Sequence, residues 1–241
     1  MRLPKKRRAN GRSACPHCHH TLAAIDLVPL VSYIMLGGRC RYCHKPISSR
    51  YVFIELVTGL LFLSAFLAIG PTNYFGYAVL GRSLFCIAVF VVVFVIDFEH
   101  FLILDRVVLP ATAVVLASNF LLDLASGSFG LHSPTVTGLI AGMVGFGLTW
   151  LLWRISRGKW IGLGDAKLLL FLGVTLLCTG LLVGYFVALA LGTAVSIVLL
   201  ATGKKTMKSP LPFGTFLVIG GYISLLYGQS IWNWYTALLG L

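Results

Sequence analysis

The sequence predicts an all-α polytopic integral membrane protein of about seven transmembrane helices, preceded by a small cysteine-bearing cytoplasmic module. Three observations carry this. Of 241 residues, 58% are hydrophobic and only 11% charged, with a mean hydropathy of +0.93. Several apolar runs approach the roughly 20 residues a bilayer-spanning helix requires. Of the 19 basic residues, all but Arg82, which lies inside segment two, also fall in the N-terminal region or in or beside alternate loops, as cytoplasmic loops of membrane proteins demand.

The apolar segments lie at roughly 51–70, 77–96, 107–124, 134–153, 166–178, 183–202 and 212–229. The fifth is short enough to tilt or re-enter. The tail from Ile231 carries Trp232, Trp234 and Tyr235, which suit an interfacial aromatic belt. Residues 1–50 hold ten Lys and Arg; the loops after segments two, four and six hold Arg106, then Arg154, Arg157 and Lys159 (Lys167 lies just beyond), then Lys204, Lys205 and Lys208. The intervening loops hold none. This alternation predicts a cytoplasmic N-terminus and an external C-terminus in the plasma membrane. It also accounts for the net charge of +12 without nucleic acid. Met1 to Arg12 is basic with no apolar stretch close behind, so no secretory signal peptide is expected.

The module, residues 1–50, contains Cys15-Pro-His-Cys18-His19 and Cys40-Arg-Tyr-Cys43-His44. A thiol–disulfide pair, c-type haem attachment and a metal site are all compatible with one such string. The cytoplasmic side disfavours the first two. Two pairs separated by 21 residues approximate the four-thiolate spacing of structural zinc, with Cys15, Cys18, Cys40 and Cys43 as ligands. Cys86 and Cys178 lie in apolar segments and read as packing residues.

Residues 51–241 hold the carboxylates that matter. Asp97 ends segment two, and Asp165, in Gly-Leu-Gly-Asp, begins segment five. Both fall at the cytoplasmic face, where two carboxylates on different helices can converge. Such a pair shares a proton, so one member activates water and the other hydrogen-bonds a peptide carbonyl. The alternatives are a helix cap at Asp165 and a solvated helix end at Asp97. Gly162 and Gly164 fit an active-site loop, because glycine permits close approach or φ > 0. A helix dipole at Asp165 and an apolar run before Asp97 assign Asp165 as base and Asp97 as acid. Glu55 and Lys167 are supporting candidates, Lys167 otherwise snorkelling to the interface. Asp105 is expected to cap segment three, Asp123 to pair with Arg82, and Glu99 and His100 to lie in a solvated loop.

In order along the chain, CPHC, IDLVPLVSY, GGRCRYCHKPISSRYVFIEL, VIDFEHFLILD, GLGDAKLLLFLG and PLPFG together resemble the type IV prepilin peptidases, integral-membrane aspartic proteases. The size and the C-terminal LYGQSIWNWY resemble the version found in Gram-positive competence systems. The resemblance implies that Asp97 and Asp165 are catalytic and that the paired cysteines bind zinc. It implies a prepilin or pseudopilin substrate, cut on the cytoplasmic side before its apolar helix. Some members also N-methylate the new terminus with S-adenosylmethionine; no Rossmann-type glycine fingerprint adds support for that. Two departures stand out. Family members usually begin with a further membrane helix before Arg-x-Pro, whereas Arg2-Leu3-Pro4 here follows Met1. The usual Ile-Pro-Asp reads Ile103-Leu104-Asp105. A presenilin-like intramembrane protease and a non-enzymatic zinc-stapled scaffold or transporter subunit are the rival readings.

Overall fold

A computed structural model describes residues 13–128, 130–203, 206 and 211–240. The basic stretch at 2–12, Lys204, Lys205, Lys208 and Pro210 therefore lie outside the described residues. Apart from two isolated bridges, the described chain is helical. After a 3-10 turn at Ala24–Leu27, the helices are α1 (Val31–Met35), α2 (Ser49–Ile69), α3 (Tyr74–His100), α4 (Asp105–Ser126), α5 (Pro134–Ser156), α6 (Leu163–Ala201) and α7 (Phe213–Leu239). Six of these, α2 to α7, are long and apolar enough to cross a bilayer, which makes this a multi-pass membrane protein. The chain divides into two compact units, Met1–Ser64 and Ala65–Leu241.

Local chemistry sets the helix ends. Asn73 accepts the Gly76 N–H at 2.7 Å to start α3, and Ser133 with Pro134 starts α5. Two expected boundaries move. α3 continues to His100, so Glu99 and His100 are on a helix, not in a loop. It closes at Phe101, whose φ is 53° and whose N–H donates to the Asp97 carbonyl at 2.8 Å. α7 continues past the expected end near 229, through Trp232 and Tyr235 to Leu239, so the aromatic tail extends the last helix.

The 39 residues of α6 would span about 58 Å as a straight helix, twice a bilayer core. They are not straight. Leu177 has φ 64° and ψ −170°, and the packing shows a reversal. In the arm before Leu177, Gly164 and Leu172 lie level with Gly214 and Gly221 of α7, the former through shared contact with Ile103. In the arm after it, Gly180, Gly184 and Gly192 meet Ser224, Gly220 and Phe216 in turn. So α7 runs parallel to the first arm and antiparallel to the second. The six helices therefore comprise seven apolar segments, and the expected fifth and sixth are the two arms of α6.

Breaking a helix inside an apolar bundle orphans the carbonyls of its last turn. Polar side chains from neighbouring helices satisfy them. Arg82 Nη2 donates to the Thr175 carbonyl at 2.7 Å, and Asn119 Nδ2 donates to the Val174 carbonyl at 2.9 Å. Beyond the break, Ser224 Oγ of α7 donates to the Gly180 carbonyl at 2.6 Å, tying α7 to the second arm. This corrects the expected Arg82–Asp123 pair: the broken helix takes Arg82, while Asp123 accepts the Thr135 N–H at 3.0 Å.

The first arm of α6 is buried nearly all round, from Ala166 to Leu176, as a central helix must be. Phe171 packs edge-on against Phe90 of α3, 5.8 Å between ring centres. Val108 and Val115 of α4 and Leu217 of α7 complete the core. α5 crosses this arm on glycine: a Cβ at Gly173 would overlap the Gly142 backbone, and one at Gly138 would lie 2.9 Å from the Val174 carbonyl. Small residues at such crossings let membrane helices approach closely. Gly173→Val is accordingly expected to destabilise the bundle by about 3 kcal/mol, at the upper end of overpacking costs. A thermal unfolding scan in detergent checks this; an unchanged midpoint would contradict the crossing.

A candidate aspartic protease site and a four-thiolate site

Asp97 lies in the last turn of α3 and Asp165 in the first turn of α6. Both side chains are buried, at 4% and 9% exposure, and they lie close enough to interact electrostatically. A third helix helps to hold them. α7 begins after Pro212, which offers no capping side chain, and its N–H groups would otherwise be orphaned. Asp97 Oδ2 accepts the Thr215 N–H at 2.8 Å. Asp165 Oδ2 accepts the Gly162 N–H at 3.1 Å.

Each carboxylate therefore sits at a helix N-terminus, Asp97 at that of α7 and Asp165 at that of its own helix. The dipole contrast used to divide base from acid is absent. Asp165 is also the third residue of α6, not its cap, which is Gly162.

Gly164 and Gly214 allow close packing here. Gly162 has φ −79°, and neither it nor Gly164 takes the positive φ considered for them. A Cβ on Gly164 would lie 2.9 Å from Ile103 Cβ, and one on Gly214 would lie 2.8 Å from Asp97 Oδ2. Ile103 thus sits between Gly164 and Gly214, bringing the α3–α4 turn against the starts of α6 and α7. Leu104, where proline was expected, keeps an extended φ of −86°, near proline's own value.

Asp105 does not cap α4: Leu104 holds the cap position without a side-chain bond. Instead Asp105 accepts from Lys167 Nζ at 2.6 Å. Lys167 therefore ties the start of α6 to that of α4 and does not merely snorkel. Glu55 accepts the Leu30 N–H at 2.9 Å, a contact within the N-terminal unit. Thr215 and Gly214 escaped the residue-by-residue reading of the sequence. The only signal was PLPFG, since no periodicity reveals an N–H bonded to a carboxylate 118 residues away.

In the N-terminal unit, the Sγ atoms of Cys15, Cys18, Cys40 and Cys43 all lie within 4.8 Å of one another. They sit on two equivalent loops. Cys15 N–H donates to the His20 carbonyl and Cys40 N–H to the Lys45 carbonyl; His19 and His44, at φ 57° and 54°, follow each pair. Bridges Ala14–Thr21 and Arg39–Pro46 close the loops.

Tetrahedral zinc–thiolate bonds of about 2.3 Å place sulfurs about 3.8 Å apart, and Cys15 Sγ lies 3.8 Å from Cys43 Sγ. The donor set therefore fits zinc, and these four sulfurs would hold it. Asp26, which sequence reasoning overlooked, braces the second loop through Arg41 at 2.6 Å. That hydrogen bond is the chief reason its carboxyl sits below its ordinary value. Outside the module, Cys86 is buried and contacts Thr175 Oγ1 at 3.9 Å, and Cys178 lies 3.5 Å from the Thr137 carbonyl.

Two family models match the chain: the bacterial peptidase A24 N-terminal domain over residues 1–69, and the type IV leader peptidase family over residues 84–197. The chain is similar to the prepilin leader peptidase/N-methyltransferase of Aeromonas hydrophila, 34% identical over 93% of this chain and 74% of the relative. It is 38% identical to the protein of that name from Burkholderia pseudomallei (strain K96243), over 92% of this chain and 69% of the relative. The Pseudomonas aeruginosa protein of that name is 31% identical over 95% of this chain and 76% of the relative. No solved structure matches the chain. With a family model covering the carboxylate-bearing helices and relatives above 30% identity over nine-tenths of its length, the chain belongs to the type IV leader peptidase family.

Proposed function

We propose that this protein cleaves the leader peptide of type IV prepilins or pseudopilins, with Asp97 and Asp165 as the catalytic pair. The convergence of two buried carboxylates at the adjoining ends of α3, α6 and α7 carries the reading. One carboxylate takes a proton from water as it attacks the scissile carbonyl. The other, protonated, hydrogen-bonds the carbonyl oxygen and then protonates the departing amine. Water attacks directly, so no covalent intermediate forms. Residues 1–50 form a zinc module with Cys15, Cys18, Cys40 and Cys43 as ligands, and 51–241 the protease domain. The apolar helix of the substrate enters laterally from the bilayer. Purified protein is expected to cut a prepilin and to leave an unrelated single-span membrane protein intact; the reverse would favour a presenilin-like protease.

The site faces the cytoplasm across the plasma membrane, a reading supported by the alternation of Lys and Arg along the chain. Reporter fusions at Asn73 and Gly127 are expected to read as external, and one at Arg157 as internal. An external signal at Arg157 would overturn the orientation. The names of the relatives support N-methylation of the trimmed terminus as a second activity. S-adenosylmethionine would then be the methyl donor. A mass gain of one methyl group on the processed pilin, dependent on added S-adenosylmethionine, tests this.

A further inference from the structure

A second polar site lies far from the carboxylate pair. Arg82 precedes Asp97 by 15 residues on α3, about 22 Å along the helix. There a cavity of about 480 Å³ opens among α3, α4, the break in α6 and α7. Its walls include Arg82, Asn119 and Asp123, and also Ser126 at the end of α4, Ser128 in the connection that follows and Pro134 at the start of α5. That connection ends two membrane helices, which puts the cavity mouth at a bilayer surface.

Three polar side chains are used by the protein on one side only. Arg82 donates Nη2 to Thr175, but its buried Nε has no partner. Asn119 donates Nδ2 to Val174, but its Oδ1 has none. Asp123 accepts from Thr135 on Oδ2, but its Oδ1 has none. Asn119 and Asp123 are 1% and 2% exposed, so bulk water does not serve them. Buried polar atoms left this way cost about 1–3 kcal/mol each, and native proteins satisfy almost all of them.

The unmet inventory is specific. Among the residues that line the cavity, it requires one acceptor for the Arg82 N–H and donors for the Asn119 and Asp123 oxygens; the fourth buried polar atom without a partner, Thr135 Oγ1, belongs to a residue outside the wall. An anion would leave Asp123 unmatched, and a cation would leave Arg82 unmatched. A zwitterion serves both, and the bilayer surface supplies one.

We propose that this cavity binds the headgroup of a phospholipid bearing a primary ammonium. Its phosphate oxygens accept from Arg82, and its ammonium donates to Asp123 and Asn119. The apolar part of the wall, including Ile69, Phe75 and Leu122, meets the glycerol and upper acyl chains. The bound headgroup would brace the reversal at Leu177, whose freed carbonyls Arg82 and Asn119 already cap.

Native mass spectrometry of the purified, delipidated full chain tests this. It is offered equal phosphatidylethanolamine, phosphatidylcholine and phosphatidylglycerol. Phosphatidylethanolamine is expected to be retained about tenfold better than the others, the scale of one charged hydrogen bond, because a trimethylated ammonium cannot donate and glycerol carries no cation. Asp123→Asn keeps an acceptor for Thr135 yet can present an amide N–H₂ to the cavity. It is expected to abolish the preference while leaving the lipid-free thermal midpoint within a few degrees. Equal retention of all three lipids, undiminished preference in Asp123→Asn, or no adduct at all (a cavity holding water only) would each overturn the proposal.

Discussion

Asp97→Asn is expected to lower prepilin cleavage at least about 10³-fold, within the span that positioned acid–base groups contribute, while the protein stays folded. The substitution is close to isosteric. Asparagine keeps a side-chain oxygen for the Thr215 N–H, which Asp97 now accepts at 2.8 Å, so α7 remains capped. What is lost is the exchangeable proton. Asp165→Asn should fail equally, because its amide oxygen can still accept from Gly162 but cannot relay a proton. Asp105→Asn, which weakens a partly exposed ion pair with Lys167, should retain most activity, since such pairs contribute about 1 kcal/mol or less. Gel-shift rates for the four proteins check this. Cleavage by Asp97→Asn at a near-normal rate would return Asp97 to the role of a helix cap supplied from another helix.

Loss of the thiolate cluster is expected to unfold the N-terminal unit. Between residues 13 and 64, Cys15 and Cys40 are the only buried residues, so this unit has no hydrophobic core to fall back on. Structural zinc contributes on the order of 10 kcal/mol in comparable small sites. Cys40→Ser should therefore drop metal content from about one zinc per chain to well below that. It should also expose residues 13–48 to proteolysis, while the bundle from α3 to α7 keeps its own core. Full zinc retention in Cys40→Ser, or a disulfide among these cysteines in the purified protein, would contradict the site.

The legible parts of the molecule are those in which one residue carries its own cost. A carboxylate beside a membrane span is expensive, so Asp97 and Asp165 stood out, and their equal depth followed from counting segments. Two CxxC pairs at this spacing suggest a shared metal, so the four sulfurs that converge could be named together. Three other features depend on through-space partners. The reversal of α6 was legible as the gap between the fifth and sixth apolar segments, but its position at Leu177 was not, because apolar residues flank it on both sides and no proline or charge marks it. The fate of Arg82 followed from that break: once Thr175 and Val174 lost their helical partners, a buried guanidinium was worth more there than beside Asp123. Likewise, α7 begins after a proline without a capping side chain, and only the folded chain brings Asp97 to it. The dipole argument for dividing base from acid is lost for the same reason, since a second helix N-terminus, that of α7, meets Asp97.

The claim that this chain is a leader peptidase is tested most directly by the N-terminal sequence of the product. Purified protein is incubated with a full-length prepilin in detergent. A single new terminus immediately before the substrate's apolar helix is predicted, absent from a parallel reaction with Asp165→Asn. An uncut prepilin, a cut inside the apolar helix, or the same terminus produced by Asp165→Asn would contradict it.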